Sequence, residues 1–473
     1  MYTIFDEELD RAARTIRDRH RAYTAGAIAD EELTALRLEA FRNVVAYAKT
    51  HSPFYQRHLA DVEPGAITSL EPQELRRLPF TTKEHLRNEH YAISSLPLHR
   101  AWVLYKTSGT TGRSTLCPRN NIDSLNNTTA LTVYYDTIFR QFGDEQVIGI
   151  CGPSELHAFG DTFGEVCRNL GITGVKMWPH SPMVGYDKAL EVLRTVPLTG
   201  LFATPGMALT LAKKAQAAGL DPKRDFRLQV IMCSGELASP SLLENIGEIW
   251  GAKVYNCLYA SQETSVMAAS GADGELYTAP LLNLYEVIDP ESGNPVAPGV
   301  DGVLRGELVV TSLYQGSKPL VRYRTGDLVR LREATAGSAL PGQTLEVLGR
   351  TRDILRIGAE HISGYDLEEL LLICPRGYLD YQIVIDAVAG DDHLTLRLHL
   401  PDDSTGVYVP EERIAELVRN ELAVPLTIEY GPIGNITETG AVVSWKAARV
   451  VDLRQAGPDN EVATATAIAA QRL

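Results

Sequence analysis

The feature that most constrains the fold is an alternation of short apolar runs with stretches of helical periodicity, from about residue 145 to residue 260. Between the apolar runs, Tyr186–Val196 and Met207–Ala218 carry apolar residues at helical spacing. This alternation predicts βαβ units and a mainly parallel sheet flanked by helices. Ligands of such sheets bind at the carboxyl ends of strands, so the following loops are candidate sites. The predicted strands are Val147–Ile150, Val175–Trp178, Leu201–Ala203, Val230–Cys233 and Val254–Leu258.

The segments on either side have different patterns. Residues 30–50 predict a helix with Asp30 as its N-cap. From about 275 to 348, strand-like runs separated by DPESGNP, PGVDG and GSKP favour an antiparallel subdomain. After Arg350 the apolar residues alternate at period two and then follow a helical period, which predicts a small α+β domain.

The predicted fold class is therefore α/β with two domains. Residues 1–350 form a large N-terminal domain, with mainly parallel sheets flanked by helices plus the antiparallel β-subdomain. Residues 351–473 form a small mobile α+β C-terminal domain. A chain of 473 residues is too long for one compact core, which agrees with this division.

Composition limits the classes of partner. A formal net charge of −15 argues against broad binding to nucleic acids or anionic membranes. The sequence contains neither a signal-peptide pattern nor an apolar run of about 18 residues, as a transmembrane helix requires. The six cysteines are scattered without a CxxC pair, so we expect a cytoplasmic protein without structural zinc. The oligomeric state, monomer or homodimer, stays open.

The loop from Thr107 to Thr115, TSGTTGRST, has the composition of an anion-binding loop. Its two glycines permit tight turns that point backbone amides at an anion, and its hydroxyl groups add donors. A Walker P-loop would end in GK[ST], whereas this loop has Gly-Arg-Ser, so the ordinary NTPase motif is excluded. Taken alone, such a loop is more often simply flexible.

Four further segments change that interpretation. They are YASQET at 259–264, YRTGDL at 323–328, GRTRDIL at 349–355 and WKAAR at 445–449. In this order and at these separations they resemble the core motifs of the acyl-adenylating superfamily, which includes acyl-CoA synthetases, luciferases and nonribosomal adenylation domains. The resemblance is strongest to the phenylacetate-CoA ligase-like branch and covers about residues 35–453. It is carried there by HSPFYQRHL, LRRLPFTTKEHLR, SGE at 234–236, KPLVRYRTGDL and WKAARVVD.

The resemblance implies an ATP- and Mg²⁺-dependent enzyme and gives roles to particular residues. Glu263 would hold Mg²⁺, a hard cation that takes carboxylate oxygen. Asp327 would accept hydrogen bonds from both ribose hydroxyls, and Arg350 would also reach the ribose. The loop residues that would cradle the β- and γ-phosphates are Ser108, Gly109, Thr110, Thr111 and Gly112, with Thr110 also in the catalytic set. The residues that would line the adenine, with Tyr259 stacking on the base, are Ser234, Gly235, Glu236, Cys257, Leu258, Tyr259, Ala260 and Ser261.

The implied catalytic residues are Lys446, Glu263 and Thr110, with Lys446 the principal one. A long ammonium side chain can reach the region between carboxylate and α-phosphate, where negative charge builds up in the transition state. The C-terminal domain that carries Lys446 would then rotate about a hinge at Arg352 and admit an acceptor. The sequence also departs from the branch at Gln262, where relatives have Thr or Ser, which puts one contact to the AMP phosphate in doubt.

The acyl substrate is a carboxylate, and we expect an aryl acid, more from the resemblance than from the residues themselves. CoA is the expected acceptor, whereas a carrier protein in trans, an amine or a hydroxyl group remain alternatives. Two other classes stay open: ATP-dependent activation of a group other than a carboxylate, and a non-catalytic nucleotide-binding partner. The residues expected to line the acyl pocket are His157, Phe159, Phe163, Phe202 and Ala203.

Overall fold

The computed structural model describes residues 3, 5–107, 114–388, 390–402, 406–433 and 449–454. The chain divides into two compact units that interleave along the sequence. Unit 1 comprises Met1–Asp144, Pro153–Ile172 and Cys257–Thr351, and unit 2 comprises Glu145–Gly152, Thr173–Asn256 and Arg352–Leu473. The mobility of the predicted C-terminal domain stays a prediction. Within the described ranges, no helix combines the length and apolar character that a membrane span needs.

Unit 1 contains helices packed against antiparallel strands, with elements numbered in chain order. Its helices are α1 (Glu7–Thr24), α2 (Asp30–His51), α3 (Pro53–His58), α4 (Pro72–Leu75), α5 (Lys83–Glu89), α6 (Asn121–Phe139) and α7 (Phe159–Leu170). Its strands are β1 (Val103–Lys106), β2 (Leu116–Arg119), β8 (Ser265–Ser270), β9 (Leu276–Thr278), β10 (Asn283–Ile288), β11 (Leu304–Ser312), β12 (Tyr323–Glu333) and β13 (Gln343–Arg350).

Strand β7 (Lys253–Ser261) runs across the boundary, with its residues from Cys257 onward in unit 1. There the strands follow the order β7-β8-β9-β13-β12-β11-β10, and each pair is antiparallel. This confirms the predicted antiparallel subdomain. Between β12 and β13 the register shifts, because Leu328 pairs with Gly349 while Val329 pairs with Val347. Leu348 is therefore the extra residue of a β-bulge.

Unit 2 contains the predicted parallel strands and the C-terminal α+β elements. Its strands are β3 (Val147–Ile150), β4 (Thr173–Lys176), β5 (Gly200–Ala203), β6 (Val230–Ser234), β14 (Leu355–Ile357), β15 (Glu360–Ile362), β16 (Asp380–Val388), β17 (Asp391–His399), β18 (Leu426–Tyr430) and β19 (Val450–Asp452). Its helices are α8 (Gly185–Thr195), α9 (Pro205–Ala217), α10 (Pro222–Asp225), α11 (Pro240–Trp250), α12 (Gly364–Leu372) and α13 (Glu411–Leu422).

The parallel sheet follows from buried apolar strands linked by amphipathic helices. Strands β4, β3, β5 and β6 lie side by side and pair in parallel. Every residue of β5 and β6 is buried, as expected for a sheet covered on both faces. The predicted α/β fold class is confirmed.

The N-terminal boundary of α2 differs from the prediction that Asp30 is its N-cap. Ala29 occupies that position with extended backbone, and no side chain caps the helix. Asp30 is instead the first helical residue, where its carboxylate still interacts favourably with the helix dipole. Helix α1 was not predicted, although Asp6 at its N-cap accepts hydrogen bonds from the N–H groups of Glu8 and Leu9.

Candidate active site

The ends of the predicted phosphate loop are paired, although Ser108, Gly109, Thr110, Thr111 and Gly112 lie outside the described residues. The hairpin β1–β2 leads into and out of the loop. At its mouth the N–H of Thr107 donates to the Thr115 carbonyl at 3.1 Å, and the N–H of Thr115 donates to Thr107 Oγ1 at 2.8 Å. Lys446 also lies outside the described residues, so its role stays a prediction.

The predicted ribose-binding residues lie together in unit 1. Asp327 and Arg350 are directly opposite each other on β12 and β13, and Arg350 Nε lies 3.0 Å from Asp327 Oδ1. The Tyr259 hydroxyl donates to Asp327 Oδ2 at 2.6 Å. Asp327 is only 7% exposed, so its carboxylate is held rigidly between a cation and a phenol. Burial raises the pKa of Tyr259, and the Asp327 charge raises it further, so the phenol stays protonated as a donor.

Tyr259 is therefore bonded through its hydroxyl group to the residue predicted to bind ribose. The sequence prediction placed its ring on the adenine base and did not include this hydrogen bond. The two roles are compatible, because a hydroxyl group can be fixed at one end while the ring face remains available for stacking. Its neighbour Cys257 is fully buried, and burial raises the pKa of that thiol to about 12, so it is an inert core residue.

Glu263 lies in a tight turn at the end of β7. Ser261 Oγ accepts the N–H of Thr264 at 3.1 Å and lies 2.7 Å from its hydroxyl oxygen. Arg119 Nη2 donates to the Gln262 carbonyl at 2.5 Å from the buried end of β2. These contacts fix the main chain on both sides of Glu263, whose carboxylate is 7% exposed.

A lysine without a predicted role lies beside Glu263. Lys83 Nζ is 3.7 Å from Glu263 Oε1, and the Lys83 side chain is 39% exposed. Burial lowers the pKa of Lys83, although Glu263 works in the opposite direction. Lys83 is the first residue of α5, where a cation is disfavoured by the helix dipole. Such a mismatch between a residue type and its position in a helix is expected at functional sites. The lysine at the start of this helix is therefore the sequence signal by which Lys83 could have been found.

A long-range bridge brings Lys83 to this position. The N–H of Thr81 donates to the Arg322 carbonyl at 3.0 Å, and the N–H of Arg324 donates to the Thr81 carbonyl at 2.9 Å. Arg322 is fully buried and pairs with Glu286 at 2.8 Å. The segment before α5 is thereby attached to the start of β12, the strand that carries Asp327.

The predicted adenine-lining residues of unit 2 follow strand β6. Ser234 ends the strand, and Gly235 has φ +91°, a left-handed conformation that favours glycine. Glu236 Oε2 accepts the N–H of Gly206 in the first turn of α9 at 2.8 Å. These residues are at a carboxyl strand end, where the sequence predicted ligand binding.

Residues expected in the acyl pocket are distributed over both units. In unit 1, His157 Nδ1 accepts the N–H of Phe159 at 3.2 Å, and the rings of Phe159 and Phe163 meet edge to face at 4.7 Å. In unit 2, Phe202 and Ala203 lie in β5 with no exposed surface. Phe163 is also buried, and the accessible member of this set is His157. Lining of an acyl pocket by these side chains stays a prediction.

The predicted hinge residue Arg352 lies in a 3₁₀ turn, Thr351–Asp353, and its Nε is 3.4 Å from Asp353 Oδ1. Both side chains are more than half exposed. The chain passes from unit 1 to unit 2 at this residue. A hinge function of Arg352 stays a prediction.

Residues 38–314 match the family of AMP-binding enzymes, and the chain belongs to this family of adenylate-forming ligases. Within that class it lies in the phenylacetate-CoA ligase-like branch. The phenylacetate-coenzyme A ligase of Thermus thermophilus is 26% identical over 456 residues, which cover 90% of this chain and 97% of that protein. The Pseudomonas putida protein of the same name is 29% identical over 438 residues, covering 89% of this chain and 94% of the relative.

The fold has a solved counterpart. The crystal structure of 2-hydroxyisobutyryl-CoA ligase, in its postadenylation state with 2-HIB-AMP, superimposes with a TM-score of 0.73 at 23% sequence identity. The superposition covers 94% of this chain and 93% of that chain.

Glu263 fits the predicted Mg²⁺ site in its chemistry. It offers carboxylate oxygens, which Mg²⁺ prefers, and these stand nearly buried at the turn after β7. Glu263 would hold the ion, which would supply positive charge against the phosphate groups of ATP.

We expect Lys83→Met to lower kcat/KM for ATP about tenfold, equivalent to about 1.4 kcal/mol, by removing the cation beside Glu263, the residue predicted to hold Mg²⁺. Pyrophosphate release at varied ATP concentration measures this effect. Lys188→Met, on the exposed face of α8, is the matched control and should leave kcat/KM unchanged. Equal rates for Lys83→Met and the wild type would show that Lys83 only neutralises Glu263.

Proposed function

We propose that this protein is an ATP-dependent acid–CoA ligase that forms an acyl-AMP and transfers the acyl group to the thiol of CoA. The observation that carries this proposal is the Tyr259–Asp327–Arg350 arrangement beside Glu263 and Lys83 in unit 1. A rigid carboxylate suited to a ribose diol thus stands near a cation and a metal-binding carboxylate. Similarity to phenylacetate-coenzyme A ligases along nearly the whole chain supports the same reaction.

In the first half-reaction, a carboxylate oxygen of the acid attacks the α-phosphorus of ATP. The bond from that phosphorus to the bridging oxygen breaks, and pyrophosphate leaves with the electron pair. Asp327 and Arg350 orient the ribose, and Lys83 stabilises phosphate charge from the Glu263 side. Lys446, by the resemblance of the WKAAR segment to the last core motif of the family, stabilises the charge that develops between carboxylate and phosphate.

In the second half-reaction, the CoA sulfur attacks the acyl carbon of the mixed anhydride. The acyl carbon–oxygen bond breaks, AMP leaves with its electron pair, and the thiol proton passes to solvent. Adenylation makes this step possible because AMP is a far better leaving group than the oxygen of a free carboxylate. Rotation of the C-terminal domain about Arg352 would convert the site from the arrangement that forms acyl-AMP to the one that forms the thioester.

We propose an aryl acid as the acyl substrate. Two relatives are phenylacetate-coenzyme A ligases, and phenylacetate is an acid with an aromatic ring. Further support comes from the aromatic residues of the 156–164 segment, His157, Phe159 and Phe163. A screen of pyrophosphate release over aryl and aliphatic acids, with and without CoA, tests both proposals. We expect release with at least one aryl acid and accumulation of its CoA thioester. Release without thioester would favour a carrier protein, an amine or a hydroxyl acceptor, and release with aliphatic acids alone would overturn the aryl assignment.

A further inference from the structure

The turn of unit 1 that carries Glu263 contains a strained residue. Ser261 and Ser265 pair across the hairpin of β7 and β8, and Glu263 lies between them in the chain. Ser265 has φ +64°, a left-handed conformation that is uncommon for residues other than glycine. Such conformations cluster at functional sites and persist only where the surrounding structure holds them. The contacts around this turn therefore show what holds Glu263 in place.

One contact comes from a buried arginine at the end of β2. Arg119 is 7% exposed, and its Nη2 donates to the carbonyl of Gln262, the residue directly before Glu263. The main chain of Arg119 is itself fixed in the β1–β2 hairpin, where its carbonyl accepts the N–H of Trp102 at 2.9 Å. Within the described ranges the guanidinium forms no ion pair, and its other hydrogen bond runs from Nη1 to the Pro118 carbonyl at 3.4 Å. This buried cation therefore holds main-chain carbonyls rather than a carboxylate.

Arg119 keeps its charge despite its burial. Burial alone would lower the pKa of Arg119, but nearby groups, led by Asp123, together outweigh that effect and raise it. Asp123 is 3% exposed, and its Oδ2 accepts the N–H groups of Asn120 at 2.8 Å and Ser317 at 2.9 Å. A charged donor forms a stronger hydrogen bond than a neutral one. The bond from Arg119 to the turn is thus of the stronger kind.

The far side of the turn is held by a buried amide of helix α6. Asn127 is 7% exposed, and its Oδ1 accepts the N–H of Val266 at 3.0 Å. Its Nδ2 donates to the Asp123 carbonyl at 2.6 Å and to the Tyr314 hydroxyl oxygen at 3.0 Å, which fixes the orientation of the amide. The main chain is therefore held at Gln262 and again at Val266, on either side of the Glu263 carboxylate.

We propose that Arg119 is a positioning residue for the Mg²⁺-binding carboxylate of Glu263, and that Asn127 has the same role on the far side of the turn. The inference rests on the proposed function, since it concerns the metal ion that accompanies ATP. Both side chains act through the main chain of the turn and not on the reacting atoms. Residues that orient a metal ligand in this indirect way contribute about 10- to 100-fold to metal affinity.

The test measures how strongly Mg²⁺ binding and nucleotide binding depend on each other. The probe is α,β-methylene-ATP, in which a methylene group replaces the oxygen whose bond breaks in the proposed reaction. Calorimetry gives its Kd with Mg²⁺ and with EDTA, and the ratio of the EDTA value to the Mg²⁺ value reports the contribution of the metal without turnover. We expect Arg119→Met and Asn127→Ala each to lower this ratio about tenfold, with the Kd in EDTA unchanged. Arg119→Lys keeps the buried charge and should restore part of the ratio.

Arg42→Met is the matched control, because Arg42 also donates from a guanidinium to a main-chain carbonyl of unit 1, from Nε to Ile67 at 2.6 Å. Its removal should lower the melting temperature and leave the ratio unchanged. Glu263→Gln is the reference and should lower the ratio at least as much as Arg119→Met.

The outcomes separate this proposal from the proposed function. A ratio lowered in Glu263→Gln but unchanged in Arg119→Met, or lowered equally in Arg42→Met, would overturn the positioning role alone. An unchanged ratio in Glu263→Gln would overturn the metal role of Glu263 and this proposal with it. A wild-type protein that binds no nucleotide would refute the proposed function itself.

Discussion

Lys446→Ala is expected to lower acyl-AMP formation about 10²- to 10³-fold, the usual effect of losing one electrostatic contact to a transition state. The physical reason is that negative charge builds up between the attacking carboxylate and the α-phosphate, and the ammonium group is the predicted counter-charge. Acid-dependent exchange of labelled pyrophosphate into ATP measures this step alone. Formation of the thioester from supplied acyl-AMP should be nearly unaffected, because the C-terminal domain that carries Lys446 is predicted to have rotated away from the reacting centre in that step.

Two comparisons make this prediction specific to Lys446. Lys188→Ala removes an exposed lysine from α8 and should change neither half-reaction. Lys446→Arg keeps the positive charge but replaces a compact ammonium with a planar guanidinium, so it should recover only part of the rate. Equal loss of both half-reactions in Lys446→Ala would contradict the assigned role.

Asp327→Asn is expected to raise KM for ATP about 10²-fold, with the KM for the acid nearly unchanged. The substitution keeps the size of the side chain but removes a buried charge that Arg350 and Tyr259 both contact. Hydrogen bonds to charged groups contribute about 1.5–3 kcal/mol each, and the ribose diol would lose such an acceptor. Initial rates of pyrophosphate release at varied ATP concentration measure the change.

The same two strands provide a matched control. Arg330 and Glu346 are directly opposite each other on β12 and β13 and form a cross-strand ion pair at 3.2 Å. Glu346→Gln removes an equivalent carboxylate from a surface pair and should leave KM for ATP unaltered. If it raised KM as much as Asp327→Asn, the effect would reflect the stability of the strand pair and not nucleotide binding.

Local sequence patterns predicted the parallel strands well, because each is a short apolar run bounded by turn residues. Val147–Ile150 agrees with the structure at both ends. Val175–Trp178 was placed about two residues too late, since the strand is Thr173–Lys176 and begins with exposed residues that carry no apolar signal. The prediction that Asp30 is the N-cap of α2 was wrong. An aspartate at the N-cap and an aspartate at the first helical position produce the same sequence pattern.

The sequence predicted residues of the candidate site only where they belong to a recognisable motif. Asp327, Arg350 and Glu263 belong to YRTGDL, GRTRDIL and YASQET. Lys83 could not be placed next to Glu263, because that contact depends on pairing of Thr81 with Tyr323, two positions far apart in the chain. Periodicity reports which face of an element is buried, but it carries no information on such distant pairing.

The bulge at Leu348 keeps Asp327 opposite Arg350 although β13 carries one residue more than the facing part of β12. Without the bulge, Leu348 would enter the regular ladder opposite Leu328, and Asp327 would face Gly349 instead of Arg350. Arg350 would then point to the other face of the sheet, because side chains alternate along a strand. The ion pair therefore tolerates the loss of Leu348, but it does not tolerate an extra residue that the bulge fails to absorb.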